Sequence, residues 1–201
     1  MKKRSLVVLS MLASAMVSVG CVSTEAKSDG MDAIEAIMTR SSVRSYTSQP
    51  VEAEKIEIML RAAMAAPTGS NRQPWAYYVI ESREVLDELA SKIGGAKMAA
   101  KAQLGIVVCG DLERAGEGYA QDYWIQDTSA ATENLLLAAH ALGLGAVWTG
   151  GHPNPDRVAV LRETLSLPSN LVPLCFIPIG YPDSEPKIKD KWRPESVFYV
   201  K

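Results

Sequence analysis

Two groups of cationic and hydroxyl side chains at opposite ends of the chain have the chemistry to bind an anion. They are Arg40, Ser41, Ser42 and Arg44 of "TRSSVR", and Lys189 and Lys191 of "KDK". Each charge-assisted bond to a phosphate oxygen contributes about 1.5 to 3 kcal/mol, and a guanidinium can bind two oxygens at once. Either group alone is typical of a solvated surface, but the ends of a single domain often lie close together. The pattern therefore predicts that both groups converge on one phosphate.

A second candidate is the loop "APTGSNRQPW", in which Pro67 ends an amphipathic helix. Gly69 allows close approach of a ligand to the backbone, and the amides of Asn71 and Gln73 match the donor and acceptor edge of a heteroaromatic ring. An ordinary turn is the alternative interpretation. Together with the glycine turn "WTGG", the phosphate clamp and the amide loop would fit flavin mononucleotide (FMN).

Other chemistries find less support in the sequence. The chain has no G-x-x-x-x-G-K-[ST] segment, and Trp148 replaces the third glycine that a dinucleotide-binding motif needs. His140 lies in an apolar helix and is predicted to be a core or helix-end residue, whereas His152 in "GGHPNP" is a weaker candidate for lining a site. No nucleophile and base pair, no paired carboxylates and no metal-ligand spacing are recognisable. We predict neither a catalytic side chain nor a metal site.

Composition and net charge indicate the kind of partner that this protein binds. The 201 residues are 47% hydrophobic, which is enough for one domain with a substantial core. The net charge of -2 arises from interspersed acidic and basic residues, so no basic face for nucleic acid is predicted. The expected partner is a small molecule.

Hydrophobic periodicity predicts an α+β fold with helices on both faces of a sheet. Helices are predicted in "MDAIEAIMTR", residues 56–64, "SREVLDELASKI", residues 123–142 and "NPDRVAVLRETLSL". Strands are predicted in "WAYYVIE", "QLGIVVCGD", "GAVWTGG" and "NLVPLCFIPIGYP". Pro173 and Pro178 favour a bulged or edge position for the last of these. The tail "KIKDKWRPESVFYV" ends in a strand-like stretch that could pair with a sheet edge.

The N-terminus and the cysteines indicate how the chain is exported and modified. Residues 1–20 have a basic start and a short apolar run, which predicts an export signal. Cys21 resembles the acylated cysteine of bacterial lipoproteins, although Ser18 stands where such signals carry Leu. Residues 21–30 would then be a tether, residues 31–201 the domain, and the protein would be lipid-anchored in the cell envelope. The alternatives are cleavage after residues 13–15 and a true start at Met31, which would make the protein cytoplasmic. Cys109 and Cys175 are predicted to be buried thiols, with a disulfide conceivable.

Four segments in order along the chain resemble the nitroreductase family of FMN-dependent enzymes. They are "RSSVRSY", "APTGSNRQPW", "ATENLLLAAHALGLGAVWTGG" and "KDKWRPESVFY". The resemblance implies a three-layer α-β-α sandwich with a mixed sheet and a homodimer. It also implies transfer of hydride from NADH or NADPH to flavin N5, then of two electrons to a nitroaromatic, quinone or similar acceptor. If the chain is exported, the donor could be a carrier other than a nicotinamide.

The resemblance also implies roles for individual residues. Arg40, Ser42, Lys189 and Lys191 would hold the FMN phosphate with Ser41 alongside, and Arg44 would reach the pyrimidine edge. Pro67, Thr68 and Asn71 would contact a flavin held mainly by the partner subunit. The N–H of Gly150 would face flavin N5 beside Thr149. Tyr123 and Trp124 would form an aromatic wall for the acceptor, or would instead pack in the core. A non-catalytic flavin carrier or sensor, and a structural envelope lipoprotein without flavin, are the competing functions.

Overall fold

A computed structural model describes residues 31–201, so the predicted signal, tether and Cys21 lie outside the described residues. The helices are α1 (Ala33–Thr39), α2 (Ala53–Met64), α3 (Arg83–Lys92), α4 (Leu112–Ala115), α5 (Trp124–Ala141) and α6 (Pro155–Thr164). The strands are β1 (Trp75–Ile80), β2 (Leu104–Asp111), β3 (Gly145–Ala146), β4 (Thr149–Gly150) and β5 (Leu171–Gly180). Short 3-10 turns span Gly69–Asn71, Lys97–Ala100, Gly118–Tyr123 and Pro194–Ser196. Within this part of the chain no helix is long and apolar enough to cross a bilayer.

Side-chain caps fix where several helices begin. Asp32 Oδ1 accepts a hydrogen bond from the Ile34 N–H at 2.9 Å, which starts α1. The predicted caps are confirmed for α3, where Ser82 accepts from Val85 N–H at 3.3 Å, and for α6, where Asn154 accepts from Arg157 N–H at 3.1 Å. Such a cap satisfies a backbone donor that has no partner within the helix.

The strands form one sheet in the order β1-β2-β5-β3, and β4 also pairs with β5. Every ladder is antiparallel, and the mixed character implied by the resemblance is limited to one parallel bridge between Ser42 and Ala146. The bulge predicted for β5 is confirmed by a register shift opposite Val108 and Cys109, but its edge position is wrong, because β5 is paired on both sides. This strand is buried on both faces, so its apolar burial outweighs the ladder bond that each proline forfeits.

Helices cover both faces of the sheet, as predicted. Alternate residues of β2 point to opposite sides, so that Ile106 and Val108 pack in one cluster with α2 and α5. Val107 packs in a second cluster with Phe176 and with residues of α3 and α6. The chain is therefore a three-layer α-β-α sandwich.

The C-terminal tail departs from its prediction. Residues 183–201 form no strand, and their one regular element is the turn Pro194–Ser196. The neighbouring position on the β3 side is already taken by residues 42–43, since the Val43 N–H donates to Ala146 O at 3.0 Å. The tail instead runs along the surface with Trp192, Phe198 and Tyr199 exposed.

The two cysteines in the described chain lie on opposite faces of the sheet. Cys109 belongs to the α3/α6 cluster and Cys175 to the α2/α5 cluster, and both are free thiols, which excludes the disulfide alternative between them. Burial in apolar surroundings raises the pKa of both thiols to about 12.

We expect neither of these thiols to react with a disulfide reagent at neutral pH in the native protein, because the thiolate is the nucleophile. The sample is the full chain with Cys21→Ser, titrated before and after unfolding. Two thiols should appear only on unfolding. Rapid labelling of the native protein would contradict the burial.

The same two thiols should also lower the free energy of unfolding above about pH 9. Unfolded thiols lose their protons near their ordinary pKa of 9.0, while the folded ones stay protonated.

Candidate functional site

The structure brings the two predicted anion-binding groups together at one cavity of about 420 Å³. Its lining includes every member of the two groups: Arg40, Ser41, Ser42, Arg44, Lys189 and Lys191. The cavity lies between the end of α1 and the tail that follows β5. With Lys187, five cationic side chains line this cavity against one carboxylate, that of Glu185. The resulting positive potential favours a doubly charged anion.

The first group is held in place by β3. The loop after α1 forms the parallel bridge between Ser42 and Ala146, next to the bond from Val43 N–H to Ala146 O. A Cβ atom on Gly145 would lie only 2.6 Å from Cβ of Val43, so glycine allows this close approach. The sheet edge therefore fixes the backbone of the anion-binding loop.

Arg40 is oriented by a residue that the sequence did not single out. Its Nε donates to Glu133 Oε1 on α5 at 3.1 Å, and its side chain is 18% exposed. Because the carboxylate engages Nε, the two terminal nitrogens of the guanidinium are available to an anion in the cavity. Arg44 is more loosely held, with Nη1 at 3.5 Å from Ser42 O. A glutamate in a predicted helix carries no signal of a partner 93 residues away.

The amide loop has an unusual backbone. Ser70, Asn71 and Gln73 all have positive φ angles, of 51°, 54° and 52°. Each such residue costs about 1 to 2 kcal/mol, and strain of this kind clusters at ligand sites. The loop is stabilised by bonds from Gly69 N–H to Asp127 Oδ1 at 2.9 Å and from Gln73 N–H to Thr68 Oγ1 at 3.1 Å.

Asp127 is a second functional candidate that sequence reasoning missed. Its side chain is buried in α5, and the loop residue it binds is 58 positions earlier in the chain. An aspartate within a helical pattern looks like any surface carboxylate until the fold is known. Its effect is to anchor the amide loop to the N-terminal part of α5.

The amide loop does not line the anion cavity of its own chain. It is bonded to α5 at Asp127, whereas the end of α1 and Arg40 are bonded to the same helix farther along, at His140 and Glu133. His140 is a helix-end residue bonded to Thr39 Oγ1 at 2.8 Å, which matches its predicted structural role. A single chain thus separates Pro67, Thr68 and Asn71 from the cationic cluster.

The two aromatic candidates differ in exposure. Tyr123 is 43% exposed and contacts Gly69 of the amide loop. Trp124 is only 6% exposed, its indole occupies the space above Gly110, and its ring meets His152 edge to face at 5.0 Å. This placement of Trp124 matches core packing, and of the two aromatic candidates only Tyr123 has an exposed ring.

Thr149 and Gly150 form a short edge strand with an open side. The Gly151 N–H donates to Leu174 O at 2.8 Å, so the preceding Gly150 takes the non-hydrogen-bonded position of the antiparallel pair. Its N–H and C=O therefore point away from β5. The carbonyl accepts from Arg157 Nη1 at 3.0 Å, and no atom lies within 4 Å of where a Cβ would be. The N–H has no partner among the described residues, and such a donor fits the edge of a planar ring.

No group of three metal-binding side chains occurs among residues 31–201. The described site thus offers cations, hydroxyls, amides and the Gly150 N–H, with one carboxylate, that of Glu185, at the cavity. Such a set suits a phosphorylated heteroaromatic molecule.

Comparison with known proteins gives the same family along most of the chain. Residues 37–111 and 90–181 match the model of the nitroreductase family. A candidate NADH dehydrogenase/NAD(P)H nitroreductase of Methanothermobacter thermautotrophicus is 39% identical over 182 residues, covering 90% of this chain and 93% of the relative.

Solved structures agree. A protein of Parabacteroides distasonis with that same description is 41% identical, with a TM-score of 0.80 over 84% of this chain and 98% of the other. An FMN-dependent nitroreductase of Clostridium difficile is 31% identical, with a TM-score of 0.76 over 84% and 99% of the two chains. From the fold, the site and these matches, the chain belongs to the nitroreductase family.

Proposed function

We propose that this protein is an FMN-dependent oxidoreductase that takes two electrons from NADH or NADPH and passes them to a nitroaromatic, quinone or similar small acceptor. The observation that carries this proposal is the cavity in which cationic residues from both ends of the domain meet. The names of the relatives, an NAD(P)H nitroreductase and an FMN-dependent nitroreductase, favour an enzyme over a non-catalytic carrier or an envelope structural protein.

Different residues of this chain would bind different parts of FMN. Arg40, Ser42, Lys189 and Lys191 would bind the phosphate, with Ser41 beside them and Arg44 at the pyrimidine edge. The N–H of Gly150 would donate to N5 of the ring next to Thr149. When bound, FMN supplies the capacity to accept and release two electrons. The protein's own contribution is positioning and positive charge, since the ring becomes more negative on reduction.

A homodimer would complete the site, because one chain keeps the amide loop away from its own anion cavity. Two features of the surface support dimer formation. An apolar groove of about 380 Å³ lies between α1, α2 and α5, and large apolar side chains of α1 and the tail are exposed: Ile37, Met38, Trp192 and Phe198. Exposed apolar patches of this kind mark protein interfaces. A second copy would bring its Pro67, Thr68 and Asn71 to the flavin.

The export signal over residues 1–20 and the acylation of Cys21 stay predictions from the sequence. If they hold, the domain faces a compartment in which nicotinamides are scarce. A quinol or another membrane carrier would then be the electron donor, and the same flavin site would serve it.

The proposal is tested by the visible absorption of the purified full chain. The protein is loaded with FMN, freed of excess cofactor, and recorded without oxygen before and after addition of NADPH. We expect flavin bands that stay with the protein after the excess cofactor is removed and that bleach when NADPH is added. Flavin bands that persist after addition of NADPH would indicate an electron donor other than a nicotinamide. No retained bands would refute the FMN site itself.

A further inference from the structure

We infer that Arg157 is a positioning residue that holds the Gly150 peptide, and the cationic charge next to it, at the edge of the flavin. This inference rests on the proposed function. Arg157 lies in the first turn of α6, outside the anion cavity and outside the amide loop. Its guanidinium reaches back across the start of its own helix to β4.

The guanidinium joins two separate segments. Nη1 donates to Gly150 O at 3.0 Å, and Nη2 donates to Gly94 O at 2.7 Å in the turn after α3. The side chain is half-buried, and its helix is anchored by the Asn154 cap on the N–H of Arg157 itself. A planar fork that binds two carbonyls at once has little freedom to rotate.

The bond matters because it holds the peptide between Gly150 and Gly151 from the side opposite β5, where the Gly151 N–H donates to Leu174 O at 2.8 Å. Gly150 itself takes the non-hydrogen-bonded position opposite Cys175, and it has no side chain to pack. Its carbonyl and its N–H point to the same side of the strand. The N–H belongs to the preceding peptide, and the two peptides turn about the Cα of a glycine, which has the freest backbone. Holding the carbonyl peptide between α6 and β5 therefore limits the rotation that would redirect the N–H proposed to meet flavin N5. A displacement of about 1 Å at such a point costs up to a hundredfold in rate.

Arg157 also brings a positive charge to this edge. A cation a few ångströms from the ring stabilises the negative charge that the ring gains on reduction. Removal of Arg157 should therefore shift the midpoint potential of the bound flavin to a more negative value. The phosphate-binding residues lie elsewhere, so affinity for FMN should change much less than the potential.

The chain offers a matched control in the same helix. Arg162 also donates to backbone carbonyls, with Nη1 at 2.8 Å from Pro168 O and Nη2 at 2.7 Å from Leu171 O. Arg162→Met removes the same kind of interaction from α6 without touching Gly150. Arg157→Lys keeps the charge but cannot bridge two carbonyls as a fork, and it provides a milder variant in case Arg157→Met folds poorly.

The experiment compares Arg157→Met, Arg157→Lys and Arg162→Met with wild type as FMN-loaded full chains. We expect Arg157→Met to slow flavin reduction by NADPH roughly tenfold to a hundredfold and to lower the midpoint potential. Arg157→Lys should recover the potential more than the rate. Arg162→Met should match wild type in both. Amide hydrogen exchange in the FMN-free protein is followed at Gly151, whose N–H is bonded to Leu174 O and shares a peptide with the carbonyl that Arg157 binds. This exchange should be faster in both Arg157 variants than in Arg162→Met.

Failure of this inference differs from failure of the proposed function. Wild type that retains no FMN would refute the proposed function, while the exchange rate at Gly151 would still test the restraint. Wild type that binds and reduces FMN, alongside an Arg157→Met with unchanged rate, potential and exchange, would overturn the role of Arg157. Equal losses in Arg157→Met and Arg162→Met would also overturn it, because they would indicate a general effect of α6.

Discussion

Replacement of Arg40 by alanine is expected to weaken FMN binding by more than tenfold, and more than replacement of Lys191 does. Each variant loses a charge-assisted phosphate bond, and 1.4 kcal/mol corresponds to about tenfold in affinity. Arg40→Ala has a further cost, because it leaves the carboxylate of Glu133 without its partner, close to the phosphate. The dissociation constants are measured by fluorescence titration of FMN into the cofactor-free full chain.

Two further variants separate the charge effects. The double variant Arg40→Ala, Glu133→Ala should recover part of the lost affinity, since the unpaired carboxylate is removed together with the arginine. Arg61→Ala is the control, because its ion pair with Glu57 at 2.6 Å is exposed on α2 and does not line the cavity. Unchanged affinity in both Arg40→Ala and Lys191→Ala would remove the phosphate clamp from the proposed site.

Replacement of Gly145 by alanine should impair FMN binding without altering any residue that contacts the phosphate. The added methyl would lie 2.6 Å from both Cβ and Cγ1 of Val43, and a β-branched side chain has little freedom to move aside. The backbone of the anion-binding loop must then shift away from β3. We expect a loss of about 1 to 3 kcal/mol in the free energy of unfolding, typical of overpacking, together with at least a tenfold loss of FMN affinity.

Gly94→Ala is the matched control for this substitution. A Cβ at Gly94 would meet no atom within 4 Å, so the same chemical change should leave stability and affinity close to those of wild type. Denaturant unfolding of the FMN-free protein and FMN titration measure the two effects separately. A Gly145→Ala protein as stable as wild type would mean that the loop is not held against β3 as described.

Local patterns predicted much of this fold because the signals act over a few residues. The caps at Ser82 and Asn154 and the apolar periodicity of residues 56–64 depend on neighbours within one or two helical turns. The continuous apolar run of residues 104–109 predicted a strand covered on both faces. The residues proposed to bind the anion could be named from the sequence because clustered cations and hydroxyls are recognisable without any knowledge of the fold, and the structure places them at one cavity.

What sequence reasoning missed depends on contacts between distant segments. Glu133, Asp127 and Arg157 gain their roles from carbonyl, N–H and guanidinium groups that only the folded chain brings near. The central position of β5 was missed for a similar reason, since prolines are judged locally while the burial that compensates for them is a property of the whole sheet. The position of Trp124 could not be predicted either. Nothing in the neighbouring sequence distinguishes an indole that packs in the core from one that lines a substrate site.

The position of Lys189 and Lys191 after the last strand has a consequence for synthesis of the protein. The five strands and six helices of the described chain all precede residue 181, so the elements of the layered core are encoded before the second half of the anion cavity. A product that stops after residue 181 would keep the strands and helices but would lack the two lysines proposed to hold the cofactor phosphate. Retention of the cofactor would then distinguish the full chain from such a truncated product, which we expect to be folded yet colourless.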